Sequence, residues 1–266
     1  MSPGAANGYV LSIQLLSKYP CMQNFAVVIP AYNEAATVRA IAARALKICA
    51  QVIVVDDGSV DDTARTLDGL SVQLLRNDTN QGKAASLWRG IEAALALGVE
   101  RVVTLDADGQ HAPEDVPVLI AAAVKNPDRI VIGARLADRA AIPKGRYIAN
   151  RIAAFWVSWA CGQFLEDSQS GFRVYPAGLF RKLTVPHGRA RSFVFESEIL
   201  IEAARLGYRC SMAPIAATYP PGMRASHFRP VLDIVRITRM ISWKLLSRGL
   251  YLQGFYRAFL KPPPRA

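Results

Sequence analysis

The sequence contains little cysteine and no apolar run long enough to span a bilayer. Its four cysteines show no C-x-x-C spacing, so we predict neither a disulfide scaffold nor a sulfur-bound metal and interpret them as reduced thiols of a cytoplasmic protein. The apolar residues 10–16 form a short run that is interrupted by Ser12 and Gln14 and lacks a basic leader. We therefore expect neither a signal peptide nor a spanning helix there.

Disorder is excluded by the composition, because 52% of the 266 residues are hydrophobic. Charge is divided unequally: residues 1–128 carry 10 lysines and arginines against 14 acidic residues, whereas residues 129–266 carry 22 against 7. The halves thus have net charges of −4 and +15, and the whole chain +11. A basic half indicates an anionic partner, either a nucleic acid or a membrane surface with anionic lipids.

Short β-branched segments alternate with segments of helical length in the front half of the chain. This alternation predicts an α/β fold with a mostly parallel sheet and right-handed crossovers. The predicted strands are residues 25–30, 51–56, 72–75, 101–105 and 130–133. The predicted helices are residues 35–49, 62–70, 82–97 and 114–124.

The strand at residues 101–105 ends abruptly in Asp106-Ala107-Asp108-Gly109-Gln110. Asp and Gly are depleted in strands, so this segment is expected at the carboxyl edge of the sheet, where open α/β proteins bind ligands. The carboxylates of Asp106 and Asp108 and the amide oxygen of Gln110 are hard ligands suited to Mg²⁺ or Mn²⁺. An acidic cap on the next helix is the alternative, and this segment alone does not decide between them.

Two further strand ends carry polar clusters. Pro30-Ala31-Tyr32-Asn33-Glu34 follows the first strand, and Asp56-Asp57-Gly58-Ser59 follows the second. Each cluster alone is typical of a helix cap, but three at one sheet edge indicate a binding site. Asn80-Gln81-Gly82-Lys83 opens the third helix, where glycine permits close backbone approach and lysine can meet a phosphate.

This ordered set of motifs, within residues 25–219, resembles the family 2 glycosyltransferases of the GT-A fold. The chain is most similar to the polyprenyl-phosphate branch, which contains the dolichol-phosphate mannose and glucose synthases and their bacterial relatives. The supporting motifs are Ile132-Gly133-Ala134-Arg135, Asp167-Ser168-Gln169-Ser170-Gly171-Phe172-Arg173, Phe195-Glu196-Ser197-Glu198 and Gly207-Tyr208-Arg209. His111-Ala112-Pro113 departs from the family's usual His-Pro.

The resemblance implies a nucleotide-sugar donor, a divalent metal and transfer with inversion by direct displacement. Asp106, Asp108 and Gln110 would hold Mg²⁺ or Mn²⁺ on the donor diphosphate. Asp57 would read a base N–H group, and Lys83 would lie near the diphosphate or the base. The remaining implied donor contacts are Pro30, Ala31, Tyr32, Glu34 and Ala107.

The resemblance also implies a lipid acceptor, most simply polyprenyl phosphate, which is largely ionised at neutral pH and needs orientation more than a base. Arginine suits bidentate phosphate recognition. The implied acceptor-phosphate residues are Arg135, Arg146 and Arg224, with His227 beside the last, and Arg151 and Arg173 as further candidates for which a structural ion pair is the alternative. Asp167 could orient an arginine or act as a base, and a structural role is favoured.

Two segments are candidates for contact with lipid. Residues 152–165 are uncharged, rich in tryptophan and too short to span, so they form either a core helix or an interfacial one. Residues 224–266 carry nine lysines and arginines against Asp233 alone, interleaved with aromatic and aliphatic residues. A basic amphipathic helix of this kind lies in a headgroup plane, which predicts a peripheral protein on the cytoplasmic face of a membrane.

We therefore predict three parts: an N-terminal extension at residues 1–24, a GT-A domain at 25–222, and a basic membrane-associating segment at 223–266. Residues 25–128 would form the nucleotide-sugar half of the domain and residues 129–222 the acceptor half. A processive polysaccharide synthase is excluded because no Gln-x-x-Arg-Trp motif occurs, and a nucleotidyltransferase because no glycine-rich basic loop follows the first strand. Another lipid or glycan acceptor, and a nucleic-acid-binding module, remain as alternatives; the module would leave the acidic cluster unexplained.

Overall fold

A seven-stranded mixed sheet forms the centre of the computed structural model, which describes residues 24–134, 144–188, 194–215 and 230–260, without the side chains of 144–147 and 230–234. The strands follow the order β3-β2-β1-β4-β6-β5-β7. All neighbours pair in parallel except β6, which runs antiparallel to both β4 and β5. The strands are β1 (Phe25–Ala31), β2 (Val52–Asp56), β3 (Gln73–Arg76), β4 (Arg101–Thr104), β5 (Arg129–Ala134), β6 (Arg173–Pro176) and β7 (Arg209–Pro214).

Helices cover both faces of this sheet. They are α1 (Val38–Leu46), α2 (Lys83–Ala96), α3 (Val116–Lys125), α4 (Lys144–Cys161), α5 (Ala177–Phe180), α6 (Phe195–Arg205), α7 (Pro230–Leu246) and α8 (Leu252–Phe255). Successive residues of β1 point to opposite faces: Val28 joins the core under α2, α4, α6 and α7, whereas Val27 joins the core under α1 and α3. Burial on both faces explains why β1 and β2 are nearly continuous apolar runs.

The predicted α/β fold is confirmed, and two details of the sequence prediction are corrected. Residues 62–70 contain only the 3-10 turn Arg65–Leu67 instead of a helix. The side chain of Asp61 there accepts from the Thr63 N–H, and Gly69 adopts a φ of 79°, so turn-forming groups interrupt the helical pattern. The reversed strand β6 was not among the predicted strands.

The helix α4 resolves the ambiguity over residues 152–165. One face of α4 packs in the core through Ala154, Val157 and Ala160, whereas Phe155 and Trp156 on the other face are each 39% exposed. The helix ends at Cys161, and Gly162 follows with a φ of 64°. The segment is therefore partly core and partly surface. Within the described residues, no helix has the length and apolar content needed to cross a membrane.

The helix α7 begins at Pro230 and follows the strand β7 in the chain. Its buried residues join the core that α4 and α6 share; they are Ile237, Met240, Ile241 and Leu245. Lys244 pairs with Glu198 and Glu202 of α6, at 2.9 Å from Glu198. The helix α7 is thus attached to α4 and α6 by apolar contacts, and to α6 by ionic contacts as well.

Cys49, Cys161 and Cys210 are buried free thiols, in agreement with the sequence prediction for these three residues.

Candidate active site

The loops that follow β1 and β2 are joined by hydrogen bonds at the carboxyl edge of the sheet. The backbone N–H of Asn33 donates to Ser59 Oγ at 2.8 Å, and the N–H of Val60 donates to Asn33 Oδ1 at 2.9 Å. The N–H of Glu34 donates to Thr63 Oγ1 at 2.7 Å. Asn33 adopts a φ of 55°, a left-handed conformation that asparagine tolerates better than most residues. Side chains of one strand end therefore order the backbone of the other.

The third predicted strand end lies beside the first two. Thr37 Oγ1 donates to the carbonyl oxygen of Ala107 at 2.6 Å, which ties the start of α1 to the segment after β4. Thr104 Oγ1 donates to the carbonyl oxygen of Gly171 at 2.7 Å, which adds the loop before β6 to the same edge. Four loops thus meet where the sequence places its polar clusters.

Asp57 organises the loop that leads into α2. Its Oδ1 accepts from the N–H of Gln81 and from Asn77 Nδ2, each at 2.8 Å, and its Oδ2 accepts from the N–H of Gly82 at 2.8 Å. The carboxylate is therefore engaged with the backbone of the segment that places Lys83. Its implied contact with a nucleobase stays a prediction.

Lys83 forms the ionic centre of the site. Its Nζ lies 2.8 Å from Asp106 Oδ1 and 3.2 Å from Glu196 Oε2. Burial lowers the pKa of Lys83, but the carboxylates of Asp106 and Glu196 outweigh burial and raise it above its usual range. Burial raises the pKa of Asp106, and Lys83 outweighs that effect, with His111 and Arg173 adding to it, so the net pKa is lowered. Both groups are charged at neutral pH.

Asp108 and Gln110 form a compact turn after Asp106. Asp108 Oδ1 accepts from the N–H of Gln110 at 3.0 Å, and Asp108 Oδ2 accepts from Gln110 Nε2 at 2.7 Å. In the part of the chain that the structure describes, no group of three or more His, Cys, Asp or Glu side chains forms a potential metal site. Magnesium in phosphate sites usually takes one or two carboxylates and completes its coordination with substrate and water. The oxygen donors of Asp106 and Asp108 fit that requirement.

Arg173 is fully buried and connects two segments of the site by hydrogen bonds. Its guanidinium donates to the carbonyl oxygens of Ser168, Ser170 and Glu196 at 2.9, 2.7 and 2.7 Å, and to the hydroxyl of Tyr175 at 3.1 Å. These bonds join the loop before β6 to the first turn of α6. The guanidinium thus positions backbone that lies next to Lys83.

The sequence model of Glycosyl transferase family 2 matches residues 26–183. The chain belongs to glycosyltransferase family 2. Polyprenol monophosphomannose synthase of Mycolicibacterium smegmatis is 28% identical over 207 residues, which are 74% of this chain and 78% of that protein. Undecaprenyl-phosphate mannosyltransferase of Micrococcus luteus is 30% identical over 203 residues, which are 71% of this chain and 81% of that protein.

A solved structure shows the same fold. Glucosyl-3-phosphoglycerate synthase from Mycobacterium tuberculosis, crystallised with Mn²⁺, UDP and phosphoglyceric acid, superimposes with a TM-score of 0.63 at 22% identity. The match covers 90% of this chain and 82% of that one. The expected GT-A fold and the resemblance to the polyprenyl-phosphate branch are thereby confirmed, and the chain is a nucleotide-sugar-dependent glycosyltransferase.

The donor residues implied for this family 2 glycosyltransferase all lie in described segments. Pro30 and Ala31 are buried at the end of β1, and Ala107 is buried after β4. Tyr32 and Glu34 are partly exposed in the loop that follows β1. Thr37 Oγ1 also lies 3.2 Å from Glu34 Oε2. The structure therefore brings the implied donor residues to one edge of the sheet.

The implied acceptor residues are less completely described. Arg151 is exposed on α4, and Asp167 Oδ1 accepts from the N–H of Gln169 at 3.1 Å within the loop before β6. Arg173 is buried and donates to four protein oxygens, and its implied contact with the acceptor phosphate stays a prediction. Arg135, Arg224 and His227, and the side chain of Arg146, lie outside the described residues.

Glu196 was not among the predicted site residues. It lies on the first turn of α6, 113 residues from its partner Lys83. Its segment was noticed only as a family motif, Phe195-Glu196-Ser197-Glu198, and nothing in local spacing distinguishes a site carboxylate from an acidic residue at a helix start. The contact with Lys83 is the signal, and it exists only in the folded chain.

Proposed function

We propose that this enzyme transfers one sugar from a nucleoside diphosphate sugar to polyprenyl phosphate, with a divalent metal and with inversion at the anomeric carbon. The observation that carries the proposal is the convergence of Lys83, Asp106 and Asp108 at the end of β4, next to the ordered loops after β1 and β2. The two curated relatives are named for polyprenol and undecaprenyl-phosphate acceptors, which supports the lipid phosphate. The neighbour crystallised with Mn²⁺ and UDP supports the metal and the donor class.

On the donor side, Asp106 and Asp108 would hold Mg²⁺ or Mn²⁺ against the diphosphate. The metal would neutralise the charge that develops on the leaving nucleoside diphosphate. Lys83 would donate an N–H to a phosphate oxygen, and its partly buried position strengthens that attraction. Asp57 would keep Lys83 in place by holding Gln81 and Gly82.

On the acceptor side, an ionised phosphate oxygen would attack the anomeric carbon from the face opposite the leaving group. The lipid phosphate has a second pKa near ~6, so it is largely dianionic at neutral pH and requires no general base. Cations must orient it, and we assign this task to Arg135, Arg146 and Arg224 with His227, and to Arg151 as a further candidate. Asp167 would hold the loop before β6, in line with its bond to Gln169.

The enzyme would work at a membrane surface, because its lipid acceptor resides there. Phe155 of α4 stacks on Phe259 at 4.9 Å between ring centres, so α4 and the C-terminal segment form one aromatic surface. The name aromatic surface refers to the exposed aromatic and aliphatic side chains of these two segments. They are Ile152, Phe155, Trp156, Leu252, Tyr256 and Leu260. Exposed Arg151 and Arg257 lie in the same segments and would attract anionic lipid headgroups.

The decisive experiment offers the protein each common UDP- and GDP-sugar with Mg²⁺ or Mn²⁺ and two acceptors, polyprenyl phosphate in vesicles and a soluble phosphate ester. We expect glycolipid and free nucleoside diphosphate with the lipid only. We also expect Asp108→Ala to lower kcat/KM by about a hundredfold or more, because it removes a ligand of the metal that would neutralise the charge of the leaving group. Asp128→Ala, on the exposed surface, should retain full turnover.

Transfer to the soluble ester alone would overturn the lipid acceptor and leave the glycosyltransferase assignment intact. Full metal-dependent turnover by Asp108→Ala would overturn the site assignment. The family assignment replaces the nucleic-acid-binding alternative, because the acidic strand end after β4 lies within the glycosyltransferase domain.

A further inference from the structure

Lys83 bridges the carboxylates of Asp106 and Glu196, which face the same small space. Asp106 Oδ1 and Glu196 Oε2 contact its Nζ. The other oxygens, Asp106 Oδ2 and Glu196 Oε1, lie 2.8 and 2.7 Å from the point where a Cβ on Gly171 would stand. The two carboxylates are therefore neighbours, and glycine at position 171 leaves the room that both require.

Lys83 contacts both carboxylates, and the buried Arg173 contributes a second positive charge near them. The Lys83 ammonium lies between them, with its Nζ 2.8 Å from Asp106 Oδ1 and 3.2 Å from Glu196 Oε2. The Lys83 ammonium therefore contacts the same carboxylate, Asp106, that we assign to the metal. A divalent ion that approaches alone is repelled by this ammonium, whereas a metal that arrives with a diphosphate brings oxygens that accept from Lys83.

We propose that Lys83 is an internal cation that blocks Asp106 until the donor binds, so that metal and nucleoside diphosphate load together. Glu196 is the second component of this device: it holds Lys83 when Asp106 turns to the metal, and thereby keeps the ammonium beside the diphosphate. Glu196 is a positioning residue in this scheme, acting through Lys83. The inference rests on the proposed metal-dependent function.

The test measures Mn²⁺ binding directly, by the electron paramagnetic resonance signal of free Mn²⁺, with and without UDP or GDP. The wild-type chain should bind Mn²⁺ weakly alone and at least about tenfold more tightly with the nucleotide, because the diphosphate draws Lys83 away from Asp106. Lys83→Met should bind Mn²⁺ alone about tenfold more tightly than the wild type, because two adjacent carboxylates are left without their cation. Lys83→Gln is a second variant for the same measurement.

Glu196→Gln should change Mn²⁺ binding in the opposite direction. With the nucleotide present, its Mn²⁺ affinity should fall about threefold to tenfold, because Asp106 is then the carboxylate that retains Lys83. The structure offers matched controls in a second lysine that bridges two glutamates, since Lys244 pairs with Glu198 and Glu202. Lys244→Met and Glu202→Gln change the net charge equally and should leave both Mn²⁺ affinities unchanged.

The device is refuted if Lys83→Met and Lys83→Gln bind Mn²⁺ alone no more tightly than the wild type while the wild type still binds Mn²⁺ with the nucleotide. Equal effects from Lys244→Met would also overturn it, because they would reduce the result to net charge. A wild-type chain that binds no Mn²⁺ with either nucleotide would overturn the metal-dependent function itself. The two failures are therefore distinguishable.

Discussion

Asp115 is a carboxylate whose ionisation opposes folding. It precedes α3, and its Oδ2 is buried without a hydrogen-bond partner in the described part of the chain. Burial raises the pKa of Asp115 from 3.8 to about 6, with a further contribution from Glu114. The native state therefore holds the proton more tightly than the unfolded state. This contribution to stability is present below pH 3.8 and is lost as the pH rises through about 6.

Asp115→Asn should consequently stabilise the protein at pH 7.5 and have little effect at pH 3.5. The shift corresponds to at most ~3 kcal/mol, and partial exposure reduces the expected gain to about 1 kcal/mol. Urea unfolding at the two pH values measures the difference. Asp68→Asn, at an exposed position, is the control and should show no such dependence on pH. A gain of equal size at both pH values would contradict the explanation.

At the residue scale, the sequence identified what lies beside a strand end and missed what arrives from elsewhere. Asp57, Lys83 and Asp106 follow strands or open a helix, so local pattern drew attention to them, and their order along the chain, through the family resemblance, gave their implied roles. The engagement of Asp57 with Gln81 and Gly82 was not predictable, because it depends on how the second and third loops fold together. Glu196 was missed for the same reason, since its value as a site residue depends on a contact with Lys83.

Close packing of α2 on the sheet is an element-scale feature that depends on Gly90. A Cβ at this position would stand 2.4 Å from Val28 Cγ1 and 3.0 Å from Val55 Cγ2. Glycine therefore lets α2 approach β1 and β2, and α2 carries Lys83 at its first residue.

Gly90→Ala should destabilise the protein by about 1–3 kcal/mol, because overpacking outweighs the higher helix propensity of alanine. Thermal unfolding measures the loss. Gly178→Ala in α5 is the matched control, since the nearest atom to its Cβ would be Tyr208 Oη at 3.8 Å. We expect that variant to be neutral or slightly stabilising, and a fully stable Gly90→Ala would refute the packing argument.

Element types were predictable where the apolar pattern was long and uniform. The strands β1, β2 and β4 and the helix α2 agree with the sequence prediction to within one or two residues. The 62–70 segment failed because side-chain hydrogen bonds and Gly69 compete with a helix there. The direction of β6 was not predictable, because strand order and direction are set by the tertiary pairing of β6 with β4 and β5.

At the scale of the whole molecule, the basic back half and the aromatic surface together predict binding to anionic membranes. Trp156→Ser should weaken binding to phosphatidylglycerol vesicles by about tenfold, because it removes a partly exposed aromatic anchor. Vesicle sedimentation measures the effect, and salt should weaken wild-type binding further. Val60→Ser, at an exposed apolar residue after β2, is the control and should bind normally. Equal binding to neutral vesicles would contradict the electrostatic contribution.

The reversal of β6 has a consequence for how the enzyme could be re-engineered. Parallel strands deliver their outgoing loops to the active edge, whereas an antiparallel strand delivers its incoming loop there. The loop before β6 therefore brings Gly171 beside Thr104 and beside Glu196, the partner of Lys83. The donor loops and this incoming loop are separate inserts on one scaffold. Substitutions in this incoming loop should therefore act on Glu196 and its partner Lys83, while the loops after β1 and β2 keep the hydrogen bonds that join them.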